Sequence, residues 1–193
     1  MQQHALGLAA LVCAWLFGHA TEDAVLVSPS PEALCQDWFG PSAQLSPLTL
    51  VETNAVVSEV TLDGQTSGWV FRTDQIPPAC KGKRGEIVLL VAVGADARIK
   101  GLSVLSHKED PTYFRRLKAG FFDQFKNLRA DGESAQIDAV TKATLSSKAI
   151  IREVMEGAKI VVSQPEVASK IRASSQSPLT KTAAMPHNRC PSK

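Results

Sequence analysis

Glu86-Ile87-Val88-Leu89-Leu90-Val91-Ala92-Val93 is a nearly continuous apolar run of strand length, bounded by Gly85 and Gly94. A strand without polar alternation has no face to offer water, so it is expected at the centre of a sheet covered on both sides. Gly94-Ala95-Asp96-Ala97 supplies a turn, and Arg98 to Ser106 then forms the antiparallel partner, because a short turn connects antiparallel neighbours cheaply. On the other side, Val56 to Leu62 and Gly68 to Thr73 are β-rich and flank Asp63-Gly64, which reads as a hairpin or meander. Pro77-Pro78 and Lys81-Gly82-Lys83-Arg84-Gly85 punctuate the loop between these strands and the central one.

After the strands the period changes. Phe114, Leu117, Phe121, Phe125 and Leu128 recur at three- and four-residue steps, which predicts a helix over Thr112 to Leu128 with an aromatic core stripe and a basic outer face at Arg115, Arg116, Lys118 and Lys126. Gly120 weakens that helix. A second helix is expected over Ser147 to Val162 through Ile151, Val154, Met155, Ala158 and Val162. The fold class is therefore α+β, an antiparallel sheet packed with helices. Residues 21–49, rich in Ser, Pro and Gly, read as an extended leader that docks through Trp38-Phe39, and residues 164–193 read as a disordered tail. The ordered domain is expected over 50–163.

The first residues point outward from the cell. Ala5 to Phe17 is an uncharged stretch of thirteen residues, short for a membrane span and of the length of a secretory signal's apolar region. Gly18-His19-Ala20 supplies small residues for cleavage, giving a signal segment 1–20, with an uncleaved short anchor as the alternative. Export would leave Cys35, Cys80 and Cys190 in an oxidising compartment, where three cysteines allow one disulfide and one free thiol without the sequence choosing the pair. The charge is uneven: residues 1–71 hold seven acids and no Lys or Arg, and residues 164–193 hold five basic residues and one acid. No basic cluster interleaved with aromatics supports nucleic-acid binding. There is also no metal-ligand cluster and no Ser-His-Asp arrangement for self-contained hydrolysis.

Two polar constellations remain, at the positions where functional groups collect on a rigid frame. Ser106-His107-Lys108-Glu109-Asp110-Pro111 lies between the last strand and the first helix, and Asp138-Ala139-Val140-Thr141-Lys142-Ala143-Thr144-Leu145-Ser146-Ser147-Lys148 leads into the second helix. Read alone, the latter is a hydroxyl-rich helix entry, where Thr144, Ser146 or Ser147 would cap backbone N–H groups and an anion would be welcome.

With Gly68-Trp69-Val70-Phe71 and Gly101 to Glu109, these constellations resemble the FMN-binding domain family, which includes the flavin subunits of sodium-pumping quinone reductases and Rnf-type complexes and the regulator of nitrous-oxide respiration. That family carries Asp-x-x-Ser/Thr-Gly-Ala-Thr followed by an apolar residue and Ser/Thr, matched here by Asp138, Thr141, Ala143, Thr144, Leu145 and Ser146. The resemblance implies FMN held by a phosphoester to Thr144, with Thr141, Ser146 and Ser147 as hydroxyl donors, Leu145 near the flavin, and Asp138 ordering the loop or serving the attaching enzyme. It implies a flavin pocket near His107, Lys108 and Glu109, electron exchange with membrane-bound or periplasmic redox proteins, and a separate flavin transferase. Lys142 stands where the family has Gly, so it either strains a left-handed position or places an ammonium by the phosphate. Asp110-Pro111-Thr112-Tyr113 also departs from the Thr-Pro-Gly-x-Gly of the quinone reductase type. The rival readings are a binding or regulatory module that has lost flavin, and a flavin-dependent small-molecule reductase.

Overall fold

The computed structural model describes residues 29–77, 81–118, 120–132 and 137–176. Five strands form one antiparallel sheet in chain order: β1 (Gln44–Thr49), β2 (Val56–Leu62), β3 (Gln65–Arg72), β4 (Ile87–Gly94) and β5 (Ile99–His107). The hairpin between β2 and β3 turns on Asp63 (φ 50°) and Gly64 (φ 80°). Two successive left-handed residues match the right-handed twist of the flanking strands and set Leu62 opposite Gln65.

Every residue of β4 is buried, as its unbroken apolar run requires. Leu89, Val91 and Val93 join Trp69 and Phe71 in the larger core, and Leu90 and Ala92 join Val60, Val70 and Cys35 on the opposite face. The larger core is closed by helix α3 (Thr144–Ser163), whose Ile150, Val154, Ala158 and Val161 are fully buried. Gly157 lets α3 lie close, since a Cβ there would sit 3.0 Å from the Phe71 ring.

The opposite face is covered by helix α1 (Pro31–Phe39), within the stretch expected as an extended leader. Ser30 caps it by accepting from the Ala33 N–H at 3.2 Å, and Pro31 opens its first turn. Trp38 and Phe39 dock as expected, but from a helix: a Cβ at Gly101 would overlap the Trp38 indole, and one at Gly68 would fall 2.6 Å from the Phe39 ring. Nine residues with only Leu34, Cys35, Trp38 and Phe39 turned inward give too short a periodic signal to read as a helix. Cys35 is a fully buried free thiol, pushed up to about 11 by burial first and then by the Glu32 carboxylate. Cys80 and Cys190, like the expected signal segment 1–20, lie outside the described residues.

Two helices differ from their expected limits. The run from Thr112 to Leu128 is divided into α2 (Pro111–Lys118) and a 3-10 turn at Phe122–Phe125, with Gly120 between them at φ 81°. A left-handed glycine ends a helix, yet Phe114, Leu117, Phe121 and Phe125 all remain in the core. The expected tail instead begins with α4 (Pro165–Gln176), and residues 177–193 lie outside the described residues. Pro165 stops α3 and suits the first position of a new helix. α4 buries Val167 and docks by polar contacts: Glu166 accepts the Val51 N–H at 2.9 Å, Ser174 donates to the Ala95 carbonyl at 2.9 Å, and Lys170 pairs with Glu59 on β2. These contacts join residues far apart in the chain, so local periodicity does not reveal them.

Two outcomes test this arrangement. Gly101→Ala should displace the Trp38 ring and cost about 2 kcal/mol in a urea titration. Burial alone would raise the Glu59 carboxyl, but hydrogen bonds from Lys170 and Thr66 outweigh it and hold it below the usual carboxylate range. Its stabilisation is therefore complete above the ordinary carboxylate pKa and lost as pH falls through the depressed folded value. Between about pH 5 and 3 the urea midpoint should fall more steeply for the wild type than for Glu59→Gln.

Candidate functional site

Where the end of β5 passes close to the start of α3, the described residues form an open cleft of about 220 Å³. Its walls are Lys83 and Arg84 from the loop before β4, Glu109 and Asp110 from the loop after β5, and Lys142, Ala143, Thr144, Leu145 and Ser146 at the start of α3. The cleft thus brings together five residues singled out around Thr144, and Glu109 with them.

The entry to α3 is a turn closed by the Ala143 N–H donating to the Val140 carbonyl at 3.0 Å. Lys142, its third residue, has φ 68°, and Thr141 before it is not left-handed, which is the type II pattern that favours glycine. A lysine held there costs about 1 kcal/mol, because its Cβ crowds the backbone. Of the two alternatives for Lys142, the strained position is therefore realised. Its exposed side chain still borders the cleft, and has no hydrogen bond or ion pair among the described residues.

α3 starts at Thr144, three residues earlier than expected, and the helix-cap reading of the hydroxyls is not realised. Ala143 is the N-cap residue, no side chain caps the helix, and its first turn holds no acid. Alanine is a poor cap, so the leading N–H groups keep their capacity to bind an anion. The hydroxyls serve other purposes. Ser147, fully buried, accepts from the Val140 N–H at 3.2 Å and lies 3.0 Å from the Ala143 carbonyl that it can donate to, knotting the turn onto the helix. Ser146 donates to Glu109 Oε2 at 2.6 Å. Thr144 is exposed, and its hydroxyl makes only a long 3.4 Å contact to the Val140 carbonyl. Beside it Leu145, another wall of the cleft, is 65% exposed.

The other singled-out residues lie outside the cleft lining. Thr141 is exposed in the turn, and Asp138 is exposed while Gln124 accepts from its backbone N–H at 2.9 Å. His107 stacks on Phe114 with ring centroids 3.6 Å apart, and its Nδ1 is buried without a hydrogen-bond partner among the described residues. Lys108 runs its stem along the preceding loop, where a Cβ at Gly85 would meet it at 3.1 Å. Sequence reasoning missed Lys83 and Arg84, whereas Asp110 belongs to the polar constellation singled out after β5. The signal for Lys83 and Arg84 was a cationic pair between Gly82 and Gly85, which reads locally as a loop and nothing more. Three cations in the lining against two carboxylates leave one positive charge in excess. The strain at residue 142 gives a direct test: Lys142→Gly should raise stability by about 1 kcal/mol in equilibrium denaturation.

Residues 82–159 match the model of a family described as the FMN-binding domain. Over 95 residues the chain is 36% identical to one component of the proton-translocating ferredoxin:NAD(+) oxidoreductase complex of Clostridium ljungdahlii, a match covering 45% of this chain and 51% of that protein. The chain therefore spans about half the length of this curated relative. The family match runs from the loop before β4 into α3, so every wall of the cleft falls inside it. Over residues 82–159 the chain is similar to the FMN-binding domain family.

Proposed function

We propose that this chain is an exported flavoprotein that carries FMN covalently, through a phosphoester to Thr144, and passes electrons between membrane-bound or periplasmic redox partners. The observation that carries this reading is the exposed Thr144 hydroxyl at the uncapped, acid-free start of a 20-residue helix. A phosphodiester keeps one negative charge, and the cleft lining has one positive charge in excess to meet it. The helix dipole and leading N–H groups add about 1 kcal/mol of favourable interaction with an anion there.

The chain's own residues have separable tasks in this reading. Thr144 Oγ1 supplies the oxygen of the ester: a transferase-bound FAD would lose AMP as the new oxygen–phosphorus bond forms, and the hydroxyl proton leaves to the transferase. Lys142 and Arg84 face the resulting anion, and Leu145 offers an apolar surface to the ring system. Bound FMN supplies one- and two-electron redox chemistry, and the protein supplies attachment and orientation. The oxidoreductase complex to which the clostridial relative belongs supports electron transfer as the use of this site. Export rests on the apolar segment near the N-terminus. Among the described residues no helix is long and apolar enough to cross a membrane.

Co-expression of the full chain with an FMN transferase should add one FMN less one water to the intact mass, and Thr144→Ala should abolish the increment. An unmodified wild type beside a modified control substrate would overturn the covalent reading and favour a module without flavin. Multiple turnover of a small acceptor by the loaded protein would favour the reductase reading over the carrier.

A further inference from the structure

Glu109 is out of place by charge alone. A carboxylate 7% exposed in a cleft for an anion opposes that anion, yet both of its oxygens are engaged. Oε1 accepts the Arg84 N–H at 2.8 Å, and Oε2 accepts the Ser146 hydroxyl at 2.6 Å. One side chain therefore joins two segments of chain that face each other across the cleft.

The loop on the first side is a tight strap. Lys81 and Glu86 form an antiparallel bridge, the Gly82 N–H donates to the Gly85 carbonyl at 2.7 Å, and the Lys108 N–H reaches the Glu86 carbonyl at 3.3 Å. The strap rests on Glu109 itself, because a Cβ at Gly82 would stand 2.6 Å from Oε1 and 2.9 Å from Ile87 Cδ1. On the second side, Ser146 is two residues beyond Thr144 in the first turn of α3. Among the described residues the Arg84 side chain pairs with Asp110 at 3.9 Å, and with the guanidinium largely exposed this contact is too weak to place it.

We propose that Glu109 is a positioning residue: it latches the basic strap 81–86 to the start of α3, so that Arg84 and the Thr144 oxygen face one phosphate. The functional half of this inference rests on the flavin reading above, and the structural half does not. Latch and electrostatics make opposite predictions. Removing the carboxylate makes the cleft more positive, so by charge alone every neutral replacement should take up the anion as well as the wild type or better. If Glu109 acts by position, Glu109→Gln should behave nearly as the wild type, since an amide can still accept from Arg84 and donate to Ser146, whereas Glu109→Ala should be impaired.

The full chain is incubated with an FMN transferase, Mg²⁺ and FAD, and loading is followed by intact mass. Glu109→Ala should load at least about tenfold more slowly, with Glu109→Gln within about threefold of the wild type. Loading of Glu109→Ala as fast as the wild type overturns the latch. Amide exchange on the unloaded proteins provides a readout independent of flavin. Glu109→Ala should speed exchange in 82–86 and 144–147 together and leave β4 unchanged, and unchanged exchange in either segment overturns the proposal. Should Glu109→Ala fail to fold, Ser146→Ala and Ser146→Thr decide: loss of loading rate in the first with rescue in the second supports the latch, and equal rates overturn it. A wild type that does not load at all sinks the flavin reading, while the exchange experiment still judges the latch.

Discussion

The structure depends on the burial of β4 from both sides. Each large apolar side chain removed from water along it contributes about 2 kcal/mol, and neither face can be left open without losing that gain. One face receives the long helix α3, and the other receives the short helix α1. Both approach closely because side chains are missing where they land, at Gly157 on α3 itself and at Gly68 and Gly101 beneath the α1 aromatics. The polar ties of α4 to β2 and to the turn after β4 then hold the edge of the assembly.

The cleft follows from the same demand. α3 must begin where it can drop onto the β4 face, which brings its first turn beside the loop leaving β5. The entry turn takes a left-handed residue, and lysine occupies it at a cost. Strain of this kind persists only where surrounding contacts over-determine the conformation. Here Ser147 ties the turn to the helix, and Ser146 ties the helix to Glu109. Polar groups that would ordinarily cap the helix are drawn into this scaffold, and the helix start is left without a side-chain cap.

Much of the fold was legible in the chain. β2 occupies the expected span, β4 and β5 lie within one residue of theirs, and the aromatic stripe of Phe114, Leu117, Phe121 and Phe125 is core. These are signals of period and composition, which depend on near neighbours in sequence. α1 and α4 were not legible, because their few apolar residues match surfaces built from strands many residues away. The break at Gly120 shows the converse: a regular stripe survived in the core while the helix beneath it did not.

The sequence by itself determined the α+β class, the centrality of β4 and the hydroxyl-rich character of the stretch around Thr144, since these follow from local patterning and residue type. Only the tertiary structure decided which charges accompany Thr144. Lys83 and Arg84 come from a loop some sixty residues earlier in the chain. Glu109 joins them through one carboxylate. His107, equally prominent in the sequence, turns away to stack on Phe114. The reason is physical: a side chain's direction on leaving a strand end is set by what packs against it, and the packing partners here belong to other elements.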